Sequence, residues 1–213
     1  AEKAKQMALA GAERIFIKDV DGLLTPERTR TLVPAILKKI NGIPLEIHGH
    51  CTTGLAPICY LEAVKLGVTT VHTAVSPLAN GPSQPSIENI LENLLRLGFS
   101  TDIHEDALKT MTEHFQYIAQ KEEFPMGAPV EYDLFQYEHQ VPGGMMSNYK
   151  AELARRGLSG RLNALLGEIA QIRKELGFPI MVTPLSQYIG AQAILNQTGG
   201  ERYRVVTDEV IKY

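Results

Sequence analysis

The chain has 213 residues, of which 44% are hydrophobic and 21% are charged, and its formal net charge is −3. This length allows one well-packed core or one and a half domains, and the composition is that of an ordinary globular protein. The small negative charge gives no electrostatic reason to expect nucleic acid as a partner. No apolar run approaches the roughly 20 residues needed to cross a bilayer, and Ala1 opens directly into amphipathic sequence without a signal-peptide pattern.

The first third of the chain alternates predicted helices and strands. Thr25 followed by Pro26 is a helix-start signal, a capping hydroxyl with proline at the first helical position. The predicted elements are a helix over 3–10, a strand over 14–19, a helix from residue 25 to about 40, a strand over 44–48, a helix over 56–66 and a strand over 69–75. Strands alternating with helices of ten or more residues indicate βαβ units and a parallel sheet.

After the loop over 80–85, the pattern becomes that of helices. The predictions are a helix over 87–95, a helix opened by an Asp102–Glu105 capping box, a loop over 125–144, and a long amphipathic helix over 162–176 that Gly177 ends. The fold class is therefore α/β, with βα units first and mostly helices afterwards. Three strands cannot close a barrel, which takes about 250 residues. Either the sheet is small and open, or the chain begins partway through a larger fold.

Two histidines and a lysine lie at positions where α/β proteins usually have their active sites. His48 and His50 are at the carboxyl end of a predicted strand, and residues i and i+2 of a strand point to the same side, so both imidazoles can reach one metal ion. Lys18 ends the preceding strand. The carboxyl ends of parallel strands are where active sites form. These residues also fit a simpler interpretation, two histidines without a ligand and a solvated lysine.

The remaining candidates give weaker signals. Ser147 follows a proline–glycine–glycine turn at 142–144, and it fits either a helix cap or a hydroxyl that transfers a proton. Cys51 and Cys59 have neither disulfide nor metal-site spacing, so we predict two buried free thiols and a cytoplasmic location. These residues together predict a metalloenzyme of the parallel α/β type, without indicating its substrate.

Seven segments, in order from about residue 14 to the end, resemble one family. They are IKDVDGLLTP at 17–26, HGHCTTG at 48–54, VHTAV at 71–75, SQPS at 83–86, QVPGGMMSN at 140–148, VTPLSQ at 182–187 and GERY at 200–203. These segments are similar to those of the carboxyltransferase part of biotin-dependent enzymes. That family contains pyruvate carboxylase and its separate B subunit, the oxaloacetate decarboxylase α subunit and the transcarboxylase 5S subunit.

The resemblance implies a fold and a division into domains. Residues 1–98 would be the last strands of a TIM (β/α)8 barrel of the DRE-TIM metallolyase type. Residues 99–213 would be the mostly helical funnel domain that follows the barrel in this family. Only the later part of the carboxyltransferase is represented.

The resemblance also implies an activity, which is carboxyl transfer between carboxybiotin and a 2-oxo acid such as pyruvate or oxaloacetate. By residue-to-residue correspondence, a carbamylated Lys18 joins His48 and His50 as ligands of a divalent metal. Zinc is favoured, with manganese and cobalt as alternatives. The hydroxyl of Ser147 contacts biotin and shuttles a proton between biotin and the enolate of the 2-oxo acid.

The chain departs from the family in four respects. It lacks the "RDxHQS" segment that bears an aspartate ligand and a substrate-binding arginine, so the barrel is expected to be incomplete. It also lacks the "MKM" biotinylation segment, so biotin is expected on another domain or chain. His72 replaces the aspartate of "VDTA", and we interpret it as a hydrogen-bonded barrel residue rather than a ligand. Asp21 replaces an alanine, with no assigned effect.

The expected partners follow from the same resemblance. They are a biotinyl carrier, a biotin carboxylase subunit or membrane decarboxylase subunits, and a second copy of the chain. Two other functions fit the residues: a biotin-independent metal aldolase or lyase on the same barrel, and an inactive fragment that serves as an assembly piece. The "PGG" and "VTP" segments argue against the lyase, because they belong to the carboxyltransferase funnel.

Overall fold

A computed structural model describes all residues from Ala1 to Tyr213. They form two compact units, Ala1–Tyr132 and Asp133–Tyr213. The first unit is α/β and the second is helical, so the predicted fold class is confirmed. The domain division at residues 98 and 99 stays a prediction.

The first unit contains a three-stranded parallel sheet in the order β1-β2-β3, with helices between the strands. Its elements are α1 (Glu2–Leu9), β1 (Ile15–Asp19), α2 (Pro26–Leu37), β2 (Leu45–Gly49), α3 (Ala56–Lys65), β3 (Thr70–Val71), a 3-10 turn (Ser76–Leu78), α4 (Ile87–Arg96) and α5 (Glu105–Lys121). These βα units follow the predicted order.

The register of the sheet separates two faces. Ile15 pairs with Leu45 and Ile17 with Ile47, and these side chains belong to the hydrophobic core of the unit. Residues of the helices complete this core, among them Val33, Ile36, Tyr60, Ala63 and Ile90. Burial of each large aliphatic side chain stabilises the unit by about 1.5–3 kcal/mol. The opposite face, defined by alternation along the strands, presents Phe16 and Lys18 of β1 and Glu46 and His48 of β2.

Several local predictions for this unit are confirmed, and others need correction. Thr25 caps α2, because its Oγ1 accepts a hydrogen bond from the backbone N–H of Arg28 at 3.2 Å. That helix ends at Leu37, earlier than predicted. Strand β3 is much shorter than the predicted 69–75, because Ala74 forms an isolated bridge with Ser86 instead of continuing along β2.

The predicted capping box of α5 is wrong. The helix begins at Glu105, and His104 is its N-cap residue without a capping side-chain hydrogen bond. Asp102 therefore lies two positions before the cap, too early to accept from the first free N–H groups of the helix. Glu105 and Asp106 stand in the first turn instead, where the helix dipole favours acidic side chains.

The second unit consists of helices around one core. They are α6 (Phe135–His139), α7 (Gly143–Arg155), α8 (Leu162–Glu175), α9 (Leu185–Thr198) and α10 (Asp208–Lys212). The predicted long helix is confirmed as α8, whose apolar stripe includes the fully buried Ile169 and Ile172. The predicted loop over 125–144 is wrong in its later part, because it contains α6 and the start of α7. No helix of either unit combines the length and apolar character needed to cross a membrane.

Candidate metal centre

The loops that leave β1 and β2 are bound to each other directly above the strand ends. The hydroxyl of Thr52 donates to the carbonyl of Asp21 at 2.6 Å, and that of Thr53 donates to the carbonyl of Gly22 at 2.5 Å. Gly22 has a φ of +65°, and a Cβ atom there would collide with Thr52 Oγ1. This position therefore requires glycine for both its backbone conformation and its close contact. The two strand ends are held in fixed relation.

Asp19, the last residue of β1, organises the same region. Its carboxylate accepts hydrogen bonds from the backbone N–H groups of Leu23 at 2.9 Å and Leu24 at 2.8 Å, and its carbonyl accepts from the N–H of His50 at 3.0 Å. Burial raises the pKa of this carboxyl, while the backbone hydrogen bonds and the nearby His50 oppose that rise. The Asp19 carboxylate is thus engaged with its own loop.

His48 and His50 converge, as their spacing predicted. Their Nε2 atoms lie 3.3 Å apart, with the ring centroids at 5.3 Å. Two nitrogens bound to one zinc ion at 2.0–2.1 Å with a tetrahedral angle lie about 3.3–3.4 Å apart. The separation of these two atoms therefore fits a shared divalent metal ion.

Both imidazoles are held in the neutral form that a metal requires. Burial is the main reason why the pKa of His48 falls to about 4, and the neighbouring His50, His72 and Lys18 lower it further. Burial also lowers the pKa of His50, although the carbonyl of Pro82 and the carboxylate of Asp19 act in the opposite direction. At neutral pH each ring consequently keeps one nitrogen lone pair for a ligand bond.

Lys18, the third predicted ligand, lies beside the histidines. It is the direct register partner of His48 and lies on the same face of the sheet. Its side chain is exposed, and its charge contributes to the low pKa values of His48 and His50. The structure contains no group of three His, Cys, Asp or Glu side chains that could hold a metal. The role of Lys18 as a third ligand stays a prediction.

A chain of polar contacts supports the far side of His48. Its Nδ1 lies 3.2 Å from Nδ1 of His72, and Nε2 of His72 lies 2.9 Å from Oε2 of Glu46. Arg14 donates to the other oxygen of Glu46 at 2.9 Å. The hydrogen bond from Arg14, and then that from His72, lower the pKa of the Glu46 carboxyl. The interpretation of His72 as a hydrogen-bonded residue is confirmed.

Two residues near His48 were not singled out as site residues from the sequence. Glu46 precedes His48 by two positions on β2, so strand alternation places both on one face, and a glutamate inside a predicted buried strand was a usable signal. Gln84, within the "SQPS" segment, brings its side-chain amide nitrogen to 3.4 Å from Nε2 of His48. Its position depends on a loop fold that the local sequence does not reveal.

Tyr60, buried in α3, connects the strand end to the segment bearing His72. Its hydroxyl accepts a hydrogen bond from the N–H of Gly49 at 2.7 Å and donates to the carbonyl of His72 at 2.7 Å. One side chain thereby fixes the backbone between His48 and His50 and the backbone at His72. This hydroxyl therefore fixes the relative positions of the backbone segments that bear the three histidine rings.

Tyr60→Phe is expected to lower the free energy of unfolding by about 1–3 kcal/mol, because it leaves a buried N–H and a buried carbonyl without their partner. Tyr117→Phe is the matched control, since Tyr117 is 60% exposed and its change should stay within about 0.5 kcal/mol. Denaturant unfolding of both variants measures the difference. Equal stabilities of the two variants would contradict the role given to the Tyr60 hydroxyl.

The cysteines are free and buried, as predicted. Burial raises the pKa of the Cys51 thiol to about 12 and that of Cys59 to about 11. Because the thiolate is the form that attacks electrophiles, neither thiol is activated as a nucleophile at neutral pH.

Ser147 belongs to the second unit. It is the fifth residue of α7, and Pro142 occupies the N-cap position, so the interpretation of Ser147 as a helix cap is wrong. Its residue surface is exposed. The segment predicted as a glycine-rich turn, Gly143–Gly144, instead forms the first residues of the helix. The hydroxyl is available for contacts outside its own helix.

A parallel βα sheet that gathers two neutral histidines and a lysine at its strand ends is typical of an α/β protein of the barrel type with a candidate metal site. Comparison with known families agrees with this class: the HMGL-like family matches residues 1–114, and the family described as conserved carboxylase domain matches residues 137–213. The chain belongs to the HMGL-like family. Its resemblance to the carboxyltransferase part of biotin-dependent enzymes is confirmed.

Curated relatives match nearly the whole chain. It is 38% identical to the B subunit of pyruvate carboxylase from Methanocaldococcus jannaschii, with 100% of this chain and 37% of that protein covered. It is 34% identical to the methylmalonyl-CoA carboxyltransferase 5S subunit of Propionibacterium freudenreichii subsp. shermanii, with coverages of 97% and 41%. The chain thus spans about 40% of the length of these relatives.

A solved structure supports the fold. The carboxyl transferase domain of Rhizobium etli pyruvate carboxylase superimposes with a TM-score of 0.86 at 25% identity, covering 99% of this chain and 36% of that one. The partial barrel and the helical unit of this chain both have counterparts in that structure. This agreement extends the confirmation of the fold class to both units.

Proposed function

We propose that this chain supplies the metal-binding part of a biotin-dependent carboxyltransferase that acts on a 2-oxo acid. The observation that supports this most directly is the convergence of the His48 and His50 Nε2 atoms at 3.3 Å, with Lys18 in register beside them. The match to the conserved carboxylase domain over residues 137–213 points to carboxyl transfer as the reaction.

His48, His50 and a carbamylated Lys18 would hold a divalent metal, with zinc favoured over manganese and cobalt because imidazole nitrogens predominate among the donors. Carbamylation replaces the lysine cation with an anionic oxygen donor, which suits a divalent ion. When bound, the metal supplies Lewis acidity that polarises the carbonyl of the 2-oxo acid. The neutral state of both imidazoles is the form that this role requires.

In the overall reaction, the carboxyl group leaves N1 of carboxybiotin and joins the carbon next to the carbonyl of the 2-oxo acid. A proton from that carbon passes to N1. Ser147 Oγ would bind at biotin N1 and relay this proton, donating its own hydrogen to N1 and accepting the one from carbon. The hydroxyl is restored at the end of the step, so atoms balance.

The partners of the reaction are proposals of the same kind. Family members work with biotin carrier and biotin carboxylase domains or subunits. We propose that this chain receives biotin from another domain or chain, and that its wider assembly contains either a biotin carboxylase subunit or membrane decarboxylase subunits. A second copy of the chain and a cytoplasmic location complete the proposal.

A metal-dependent lyase without biotin is the second candidate, because the HMGL-like match covers the metal site itself. The match of residues 137–213 to the conserved carboxylase domain favours the carboxyltransferase. An inactive assembly piece is the third candidate. All three predict different behaviour in one assay, which is decarboxylation of oxaloacetate to pyruvate by the natural protein that contains this chain.

The assay is run with and without free biotin, before and after chelation of metal. Carboxyl transfer predicts turnover that biotin stimulates and chelation abolishes. Turnover that requires metal and ignores biotin would favour the lyase, and a complete lack of turnover with every 2-oxo acid tried would contradict the proposed function. Restoring activity with added zinc, manganese or cobalt ranks the three metals.

Ser147→Ala is expected to slow carboxyl transfer by roughly 10²–10⁴-fold, the usual contribution of a positioned proton carrier. Metal content should not change. Ser147→Thr keeps a hydroxyl and should retain most of the rate, while Ser159→Ala, at another exposed serine of the same unit, is the matched control. An unchanged rate in Ser147→Ala would remove the hydroxyl from the proton path.

A further inference from the structure

One residue of the metal centre is described by neither the family correspondence nor the proposed ligand set. His72 stands where the related "VDTA" segment has aspartate, and its ring contacts the ring of His48 at 3.2 Å between the two Nδ1 atoms. The ring centroids lie 5.3 Å apart at an angle of 79°. A hydrogen bond between these two Nδ1 atoms requires that one of them donates a hydrogen and the other accepts it.

The direction of the hydrogen bond between His48 and His72 can be derived from the other contacts that these two rings make. Glu46 receives a hydrogen bond from Arg14 through Oε1, and the carboxylate has no proton to give. Its Oε2, at 2.9 Å from Nε2 of His72, must therefore accept from an N–H at that nitrogen. The side-chain amide nitrogen of Gln84, which can only donate, lies 3.4 Å from Nε2 of His48, so that atom accepts and Nδ1 of His72 is left to accept from Nδ1 of His48.

The proton position on His48 follows from this assignment. Because Nδ1 of His72 accepts, Nδ1 of His48 must bear the hydrogen. The lone pair of His48 is then on Nε2, the atom that faces His50 at 3.3 Å. An aspartate, as in the related segment, also accepts only, which leads to the same proton position on His48.

We propose that His72 is a positioning residue that, with Glu46, holds His48 in the tautomer whose Nε2 lone pair faces His50. This inference rests on the proposed function, because the tautomer of His48 is explained by the need for a lone pair on Nε2 that can bind a metal ion. Outer hydrogen-bond partners of ligating histidines fix ring orientation and tautomer, and their loss commonly costs 10–100-fold in metal affinity. Tyr60 supports the arrangement by accepting from Gly49 and donating to the carbonyl of His72.

The test uses two variants of the natural protein that contains this chain. His72→Leu removes the acceptor, and the dissociation constant for Zn²⁺, measured by competition with a chromophoric chelator, should rise by about 10–100-fold. His72→Asp restores an acceptor and should bring the dissociation constant back to within about threefold of the original. His114→Leu, at an exposed histidine on α5, is the matched control and should leave it unchanged.

The tautomer is measured separately, in the metal-free protein. Ring ¹⁵N shifts from histidine-labelled protein, assigned to His48 by comparison with His48→Gln, should show the hydrogen on Nδ1. A hydrogen on Nε2, or a His72→Leu variant that binds Zn²⁺ as tightly as the original, would overturn the inference. If the hydrogen is on Nδ1 while the protein takes up no metal, the positioning role stands and the metal part of the proposed function fails.

A purely structural role for His72 makes different predictions. It would reduce stability in both variants to a similar degree, with no specific recovery of metal affinity in His72→Asp. Thermal unfolding of the two variants, recorded beside their Zn²⁺ dissociation constants, separates these effects. Recovery of affinity without recovery of stability supports the positioning role, and loss of affinity that only follows stability opposes it.

Discussion

His48→Ala is expected to abolish stoichiometric metal binding and, with it, carboxyl transfer. The variant removes one of the two converging Nε2 atoms, and the remaining imidazole of His50 cannot hold the ion with Lys18 alone. Loss of a hydrogen-bond partner of a ligating histidine weakens metal binding by about 10–100-fold. Loss of a histidine that binds the metal directly should therefore weaken metal binding by more than about 100-fold. Metal content by elemental analysis after gel filtration is the measurement, and His50→Ala should behave in the same way.

The matched control is His104→Ala. His104 is exposed at the start of α5 and makes no capping hydrogen bond with its side chain, so its loss removes an imidazole without touching the centre. The control should keep the full metal content. Retained stoichiometric metal in His48→Ala would refute the assignment of the ligands.

Lys18→Met is expected to remove the metal and to lower the rate of carboxyl transfer by about 10³-fold or more. Lewis-acid stabilisation by a bound metal is worth several kcal/mol, and each 1.36 kcal/mol is a factor of ten in rate. Methionine matches the length and apolar stem of lysine while it prevents carbamylation. Lys109→Met, at an exposed position of α5, is the matched control and should keep metal and rate.

Lys18→Glu distinguishes a carbamate from a simple cation. A carboxylate supplies an anionic oxygen near the place of the carbamate, so this variant should bind metal better than Lys18→Met. Lys18→Arg keeps the positive charge and should not recover metal binding. A ¹³C signal from labelled bicarbonate that is present in the original and missing in Lys18→Met would identify the carbamate, and full bicarbonate-independent activity of Lys18→Met would exclude it.

The parts of the fold that follow from local chemistry were predictable. Thr25 with Pro26 fixes the start of α2, because both the capping hydroxyl and the missing N–H act within one turn. The stripe from Leu162 to Leu176 predicts α8, because its apolar spacing matches the helix period over four turns. Lys18, His48 and His50 were found together for a similar reason, since strand ends of a parallel sheet meet at one edge.

The remaining features depend on contacts distant in sequence. α7 begins with Gly143 and Gly144, two residues with poor helix propensity, so its start could not be read from the local pattern. β3 stops at Val71, because Ala74 pairs with Ser86, a partner that the chain brings back through a loop. Tertiary contacts override propensity in both places.

The contacts of His48 with His72, and of His72 with Glu46, also depend on residues that are distant in sequence. His72 was noticed as a departure from a motif, and its partner Glu46 was a strand residue without an assigned role. Only the folded sheet brings Nε2 of His72 to 2.9 Å from Glu46. Spacing placed His48 and His50 together and the family resemblance added Lys18 as a predicted ligand, whereas the hydrogen-bond network around His48 depends on tertiary contacts.

The most direct test of the central claim is anomalous X-ray diffraction from crystals of the natural protein grown with zinc. We expect one anomalous peak at the zinc edge, within bonding distance of Nε2 of both His48 and His50 and next to a carbamylated Lys18. No peak between these histidines, with zinc absent or bound elsewhere in the protein, would contradict the metal centre on which the proposed function depends.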